Sequence, residues 1–371
     1  MNAPVRDPRG RPARVACLFL RSHCPDFSLG DMSEIRFVRM AEALARRGHE
    51  VDLILNRRAE PERIGPRLRE VPTRFVRWEA YDVVKTFFHA GFESLVAEGG
   101  GDHPFIVSKL GSVVAAAETE GVHFYGEVRE RLFAIQQAIA QKSRAVTVLT
   151  EENEACWRRE HGPHVALLRV PTGVDAVIPP PGANPYERLG IERPVALFAG
   201  NLYSAEHQPE VNALWQDRLN RIGRLLMRRG LRLVAAGNGD ADGLDPAAVL
   251  HVGRLAADEV WDWQRHARVG LVLAQGAVQD NESSKLYYYL RTGLPVVCER
   301  PVPNAWLVGA TGLGAIVDYG DVEALAEAAV ELARRPPSPN GTARYMVEAH
   351  SWDARAAAYD EIFAQAAGAR A

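Results

Sequence analysis

An alternation governs this chain: short apolar runs are each followed by a segment whose apolar positions recur at helical spacing, from Arg14 to the C-terminus. Continuous apolar runs separated by helices are strands buried on both faces, joined by crossovers, and they build parallel sheets. One stretch breaks the pattern. IPPPGANPYERLGIERP, residues 178–194, is so rich in Pro and Gly that neither helix nor strand can propagate through it, and it reads as a linker. With 371 residues, the chain also exceeds the roughly 250 to 300 at which single cores stop growing. The expected architecture is α/β with two Rossmann-like domains, residues 1–175 and 176–350, and a terminal helix over 351–371.

The first half reads as VACLFL (strand), the loop RSHCPDFSLGD, a helix in SEIRFVRMAEALARRGHE that Gly48 ends, and VDLIL. It continues with FIVSKLG, the helical SVVAAAETE, the strand VHFYG, a helix through VRERLFAIQQAIAQKS, AVTVLT, and a helix from EENEACWRRE. The second half restarts with VALFAGN and runs through PEVNALWQDRLNRIGRLLMRRG, LRLVAAGN, VLHVG, AADEVWDWQRHA, VGLVLAQ, the segment NESSKLYYYLRTGLPVV, GAIVDYG and VEALAEAAVELARR. SWDARAAAYDEIFAQAAGAR closes the chain as an amphipathic helix with Trp352 near its start.

Apolar residues at 47% and charged residues at 25% are globular proportions. A formal net charge of −3 provides no global attraction for nucleic acid. No apolar run reaches the roughly 20 residues of a spanning helix, and VACLFL is cut short by Arg21, too early for a signal peptide. The expected location is the cytoplasm, with peripheral contact at the inner membrane face left open by the basic stretch RIGPRLREVPTRFVRW, which its prolines make a surface loop. Cys17, Cys24, Cys156 and Cys298 form no C-x-x-C pair, so they read as reduced thiols.

Several segments in order resemble the GT-B glycosyltransferases, in particular the large "glycosyl transferases group 1" (family 4-like) set that uses nucleotide sugars. They are ALARRGHEVDLI, VPTGVD, FAGNL, VLHVGRL and SSKLYYYLRTGLPVV, spanning about residues 14 to 360. NESSKLYYYLRTGLPVV with the following CERPVPN is also similar, more weakly, to the xanthan glucuronosyltransferase. The resemblance implies two domains facing across a cleft, with the acceptor on the first, a nucleotide-sugar donor on the second, and SWDARAAAYDEIF crossing back onto the first. The group carries two Glu seven residues apart, the first contacting the donor sugar and the second the ribose. Asp280 and Tyr288 stand there. A hydrogen bond to a carboxylate is worth about 1.5 to 3 kcal/mol and a neutral one about 0.5 to 1.5, so the phenol lowers nucleotide affinity by about tenfold.

Within Glu282-Ser283-Ser284-Lys285, unpaired backbone N–H groups at a helix start attract an anion. Lys285 opposes the helix dipole by about 0.3 to 1 kcal/mol, so a ligand phosphate explains it better than helix stability does; an ordinary N-cap beside a surface Lys is the plainer alternative. Gly200-Asn201 lets backbone approach a diphosphate. Arg254 is a substitute phosphate or base contact, or a surface ion pair. In the first domain, Gly30 and Asp31 follow the first strand at the edge where open α/β sheets bind ligands, and Asp31 equally suits a helix N-cap. His123 and Glu127 lie at another strand end, the address of a general base; for His123 a satisfied core position competes.

Rival motifs fit less well. Gly237, Gly239 and Gly243 miss the dinucleotide spacing, and Asp240 and Asp242 would repel a pyrophosphate. Those aspartates match a metal-holding D-x-D of a different glycosyltransferase fold and read here as a solvated loop, with no metal or other cofactor expected. There is no G-x-S-x-G elbow or P-loop. The expected function is transfer of a sugar from a nucleoside-diphosphate sugar to a glycan, lipid-linked or small-molecule acceptor in bacterial polysaccharide or glycoconjugate synthesis. Retention requires no enzymic nucleophile by analogy; inversion requires a base such as Asp31, His123 or Glu127. A nucleotide-sugar epimerase of the same fold and a non-catalytic nucleotide-sugar-binding protein are the alternatives.

Overall fold

The computed structural model describes residues 13–18, 32–114, 127–163, 165–203, 205–206, 208–335 and 341–369. The chain separates into two compact units, Met1–Ala176 together with His350–Ala371, and Val177–Ala349. Each unit is built on its own sheet.

In the first unit, β1 (Arg14–Leu18), β2 (Glu50–Ile54), β3 (Glu62–Gly65), β4 (Leu68–Val71), β5 (Val83–Phe87), β6 (Ile106–Lys109), β7 (Ala145–Val148) and β8 (Ala166–Arg169) form one sheet in the order β3-β4-β2-β1-β5-β6-β7-β8. All neighbours are parallel except the hairpin β3–β4. The described helices before residue 176 are α1 (Met32–Arg46), α2 (Phe88–Ala97), α3 (Glu127–Lys142) and α4 (Glu151–His161). Helix α1 follows the apolar spacing read from the sequence: Phe37, Met40, Ala41 and Leu44 are buried against β1 and β2 in one core cluster.

Three features depart from the sequence reading. Residues 56–104, passed over between VDLIL and FIVSKLG, supply β3, β4, β5 and α2. The stretch read as a basic surface loop contains the hairpin on the sheet edge, and its charges are internally paired: Arg69 donates to Asp52 at 2.8 and 2.6 Å, and Arg67 to Glu50 at 2.7 Å. Such pairing hides β4 from a periodicity test, because Arg69 and Glu70 interrupt its apolar run. Third, the C-terminal segment is not one helix but Trp352–Ala356, a turn at Ala357–Tyr359, and Asp360–Ala369. It does return to the first unit, where Trp352, Tyr359 and Phe363 join the cluster of Phe37 and Leu44.

In the second unit β9 (Val195–Ala199), β10 (Arg232–Ala236), β11 (Val249–His251), β12 (Val269–Val272), β13 (Val296–Arg300) and β14 (Gly314–Asp318) form an all-parallel sheet in the order β11-β10-β9-β12-β13-β14. Around it lie α5 (Pro185–Arg188), α6 (Pro209–Arg228), α7 (Val260–His266), α8 (Ser284–Thr292), α9 (Trp306–Thr311), α10 (Val322–Arg334) and α11 (Gly341–His350). Strand order reverses between β9 and β12, and in open α/β sheets ligands bind outside the carboxyl ends of strands at such a reversal. Among the described residues no helix is long and apolar enough to cross a membrane.

Candidate functional site

The carboxyl ends of β9 and β12 part early. Their ladder covers only Val269↔Ala196 and Gly270↔Leu197. Beyond it the Tyr289 hydroxyl takes over, donating to the Leu197 carbonyl at 3.2 Å and accepting from the Ala199 N–H at 2.7 Å. Gly270 makes room for that ring, since a Cβ there would lie 2.4 Å from it. Helix α8 is thereby fixed to the end of β9, and Gly293 stops it in the left-handed conformation, φ 76°.

At the other end of α8 the N-cap is Ser283, and its side chain makes no capping bond. Asn304 holds the backbone instead: the Ser283 N–H donates to Asn304 Oδ1 at 2.8 Å, and Asn304 Nδ2 donates to the Ser283 carbonyl at 2.9 Å. Asn304 is buried. The hydroxyl of Tyr287 donates to the buried Glu282 at 2.9 Å, fixing the residue just before the cap.

Lys285 is the second residue of this helix and runs back over β9. A Cβ at Gly200 would lie 2.4 Å from its Cε and 3.0 Å from its Nζ, and the ammonium stands 5.4 Å from the centre of the Phe198 ring. Among the described residues no carboxylate pairs with it. Burial pulls its pKa down from the ordinary lysine value to about 8. The side chain is half-buried. An ammonium held over a glycine, beside a helix start whose N–H groups lack a Ser283 cap, forms an anion-attracting constellation at the sheet's reversal point.

The glycines flanking the site have a packing cause. Gly237, at φ 155°, would place a Cβ 2.3 Å from the Gly200 carbonyl oxygen, and Gly239, at φ 114°, one 2.4 Å from that of Leu202. The loops after β9 and β10 run side by side, tied by Gly200 N–H to the Ala236 carbonyl at 2.7 Å and Asn238 N–H to Asn201 Oδ1 at 3.0 Å. Asp240, read as part of a solvated loop, is exposed but pinned: its carboxylate accepts from the Ala205 N–H at 2.6 Å, and its carbonyl accepts from Asn212 and Gln216. Among the described residues no three His, Cys, Asp or Glu are grouped to hold a metal ion.

A buried ion pair braces the end of β12. Glu299 is fully buried, receives Arg218, and accepts from the Ala274 N–H at 2.7 Å; Arg218 donates to the Ala274 carbonyl at 2.8 Å.

The structure thus brings Gly200, Asn201, Ser283, Ser284 and Lys285 together. Asp280 is buried in the loop that leads into α8. Tyr288 is also buried, its ring 5.2 Å from that of Trp261 in α7. Exposed Arg254 follows β11, two strands from β9, a separation of about 10 Å at ordinary strand spacing. Gly30, Asp31 and His123 lie outside the described residues, and Glu127 opens α3. Sequence reasoning missed Asn304, the Tyr289 hydroxyl and the Phe198 ring; only the Pro-flanked PVPN hinted at a turn there.

No family model and no curated protein matches the chain. Solved structures do. Sucrose-phosphate synthase from Thermosynechococcus elongatus is similar over 97% of this chain and 100% of its own, with a TM-score of 0.71 at 15% identity. A glycosyltransferase from Rickettsia africae covers 96% and 98%, with a TM-score of 0.64 at 11% identity. WaaG, a glycosyltransferase involved in lipopolysaccharide biosynthesis, covers 94% and 95%, with a TM-score of 0.58 at 16% identity. Two parallel-sheet units, with the chain's end returned to the first, give this protein the GT-B glycosyltransferase fold.

Proposed function

We propose that this chain is a glycosyltransferase that moves a sugar from a nucleoside-diphosphate sugar to a glycan, lipid-linked or small-molecule acceptor. The observation that carries the reading is Lys285: a half-buried ammonium with no carboxylate partner among the described residues, folded over Gly200 at the reversal point of the second sheet. Charge develops on the departing diphosphate as the glycosidic bond breaks, and a preorganised cation with helix N–H groups stabilises it there. Lys285 and the backbone of Ser284 hold the diphosphate, Gly200 and Asn201 border it, and Asp280 meets the donor sugar. The reaction proceeds without a bound metal. Asp31, His123 and Glu127 are the candidates for a base if configuration inverts. Synthesis of cell-surface glycoconjugates in the cytoplasm, at the inner membrane face when the acceptor is lipid-linked, fits this chemistry.

Calorimetry with UDP, GDP and ADP sugars tests the reading. Binding of one class to the native chain, and its loss in Lys285→Ala, is the expected result; if none binds, the proposal fails. The burial of Tyr288 against Trp261, where the resembled group has a ribose-binding carboxylate, favours a second reading, a non-catalytic nucleotide-sugar-binding protein. Tight binding with no turnover on any acceptor would select it.

A further inference from the structure

The ladder between β9 and β12 ends at Gly270↔Leu197, yet the loops beyond these strands are joined again further out. Gln275, in the loop after β12, donates through Nε2 to the hydroxyl of Tyr203, in the loop after β9, at 3.2 Å. Tyr203 is supported from α6. Its ring lies 6.0 Å from that of Trp215, which stacks at 5.8 Å on Phe198, the ring over which the Lys285 ammonium stands.

Gln275 is held in turn by Gln279. The Gln279 carboxamide is 7% exposed and engaged at both ends: Oε1 accepts from the Gln275 N–H at 3.0 Å, and Nε2 donates to the Asn281 carbonyl at 2.6 Å. One side chain thereby closes the loop 275–281 on itself, with Ala277 and Val278 exposed at its tip. Just before this loop Glu299 and Arg218 bind the Ala274 backbone, and just after it Asn304 binds that of Ser283. Side chains pin the loop at its start, across its middle and at its end.

Ordering a loop costs conformational entropy, and a tip this exposed recovers little of it by burial. The fixed shape serves the crevice that the loop borders. A site ordered before its ligand arrives binds more tightly, and supporting hydrogen bonds are what keep it ordered. Amides do this without charge, whereas a carboxylate at either glutamine would compete with a bound anion for Lys285.

We propose that Gln275 and Gln279 are positioning residues for the anion site at Lys285. Gln279 shapes the loop after β12, and Gln275, through the Tyr203 hydroxyl, fixes the width of the crevice between that loop and the one after β9. Identification of the anion as the diphosphate of a nucleotide sugar rests on the transferase reading; the strut requires only that the crevice take a diphosphate.

Calorimetry on the full chain tests this with two probes, inorganic pyrophosphate and the nucleoside diphosphates UDP, GDP and ADP. Gln279→Ala, Gln275→Ala and Tyr203→Phe should each weaken binding about fivefold, the effect of a lost neutral hydrogen bond. Gln275→Ala combined with Tyr203→Phe should weaken it no further than either alone, because both remove the same bond. Two independent structural losses would instead multiply to about 25-fold. If Gln275→Ala does not fold, Gln275→Met, which keeps the length and removes the bond, takes its place. Native affinity in Gln279→Ala or in Tyr203→Phe overturns the proposal, as does a multiplicative loss in the double variant. Binding of pyrophosphate but of no nucleotide would remove the transferase reading and leave the strut to be judged on pyrophosphate. Failure of both probes on native protein would remove both.

Discussion

Asn304 closes a two-bond ring with the backbone of Ser283, at 2.8 and 2.9 Å, and so fixes the turn from which Lys285 projects. Both partners are buried, and Asn304→Ala leaves a buried N–H and carbonyl without partners, a cost of about 1 to 3 kcal/mol. Urea unfolding should register that loss. Calorimetry with the nucleotide that binds native protein should show a drop in affinity of about tenfold. Native affinity in a folded Asn304→Ala would disconnect the turn from the site.

Gly200 and Gly237 separate function from packing. An alanine methyl at Gly200 meets the flexible end of Lys285 at 2.4 Å, which can swing away, and the edge of the buried Phe198 ring at 2.8 Å, but no backbone atom, so Gly200→Ala should cost less stability than Gly237→Ala yet weaken nucleotide binding. Gly237→Ala meets the Gly200 backbone at an unfavourable φ and has no such escape. Thermal melts should therefore rank Gly237→Ala below Gly200→Ala, and the reverse order would contradict the side-by-side loops.

The lowered Lys285 pKa of about 8 sets a pH signature. The folded chain releases this proton more readily than the unfolded chain, so between pH 8 and the ordinary lysine pKa the unfolded state binds more protons, and this residue's contribution to stability rises with pH. Anion binding has the opposite sign: it needs the ammonium, so nucleoside diphosphate affinity should fall as pH climbs through about 8. Titration calorimetry at a series of pH values checks this, with Lys285→Arg, charged throughout, expected to flatten the curve. An unchanged slope in that variant would assign the titration to another group.

Glu299 is fully buried beneath the end of β12 and holds Arg218 and the Ala274 N–H. Removal of one member of such a pair leaves an uncompensated charge, so Glu299→Ala should destabilise the chain by about 3 to 5 kcal/mol. Denaturant midpoints give the value directly. A loss below about 1 kcal/mol would mean that Arg218 is solvated rather than buried with its partner.

The alternation of apolar runs and helical spacing determined by itself that the chain forms parallel sheets, because that pattern satisfies burial on both faces of a strand and one face of a helix within a few residues. Helix α1 and the strands of the second sheet were legible in this way, whereas the return of Trp352 to the first unit was implied only by the resemblance to the GT-B glycosyltransferases. Strand β5 was not, since Lys85 breaks its apolar run; the charge is accommodated in the core by the Tyr359 hydroxyl at 2.9 Å, 274 positions further along the chain. Likewise the sequence marked Ser283, Ser284 and Lys285 as an anion-attracting helix start, but only tertiary structure could lay Lys285 over Gly200 and anchor Ser283 to Asn304. Secondary structure follows from near neighbours, whereas a site depends on contacts between residues whose separation in the chain leaves no periodic trace.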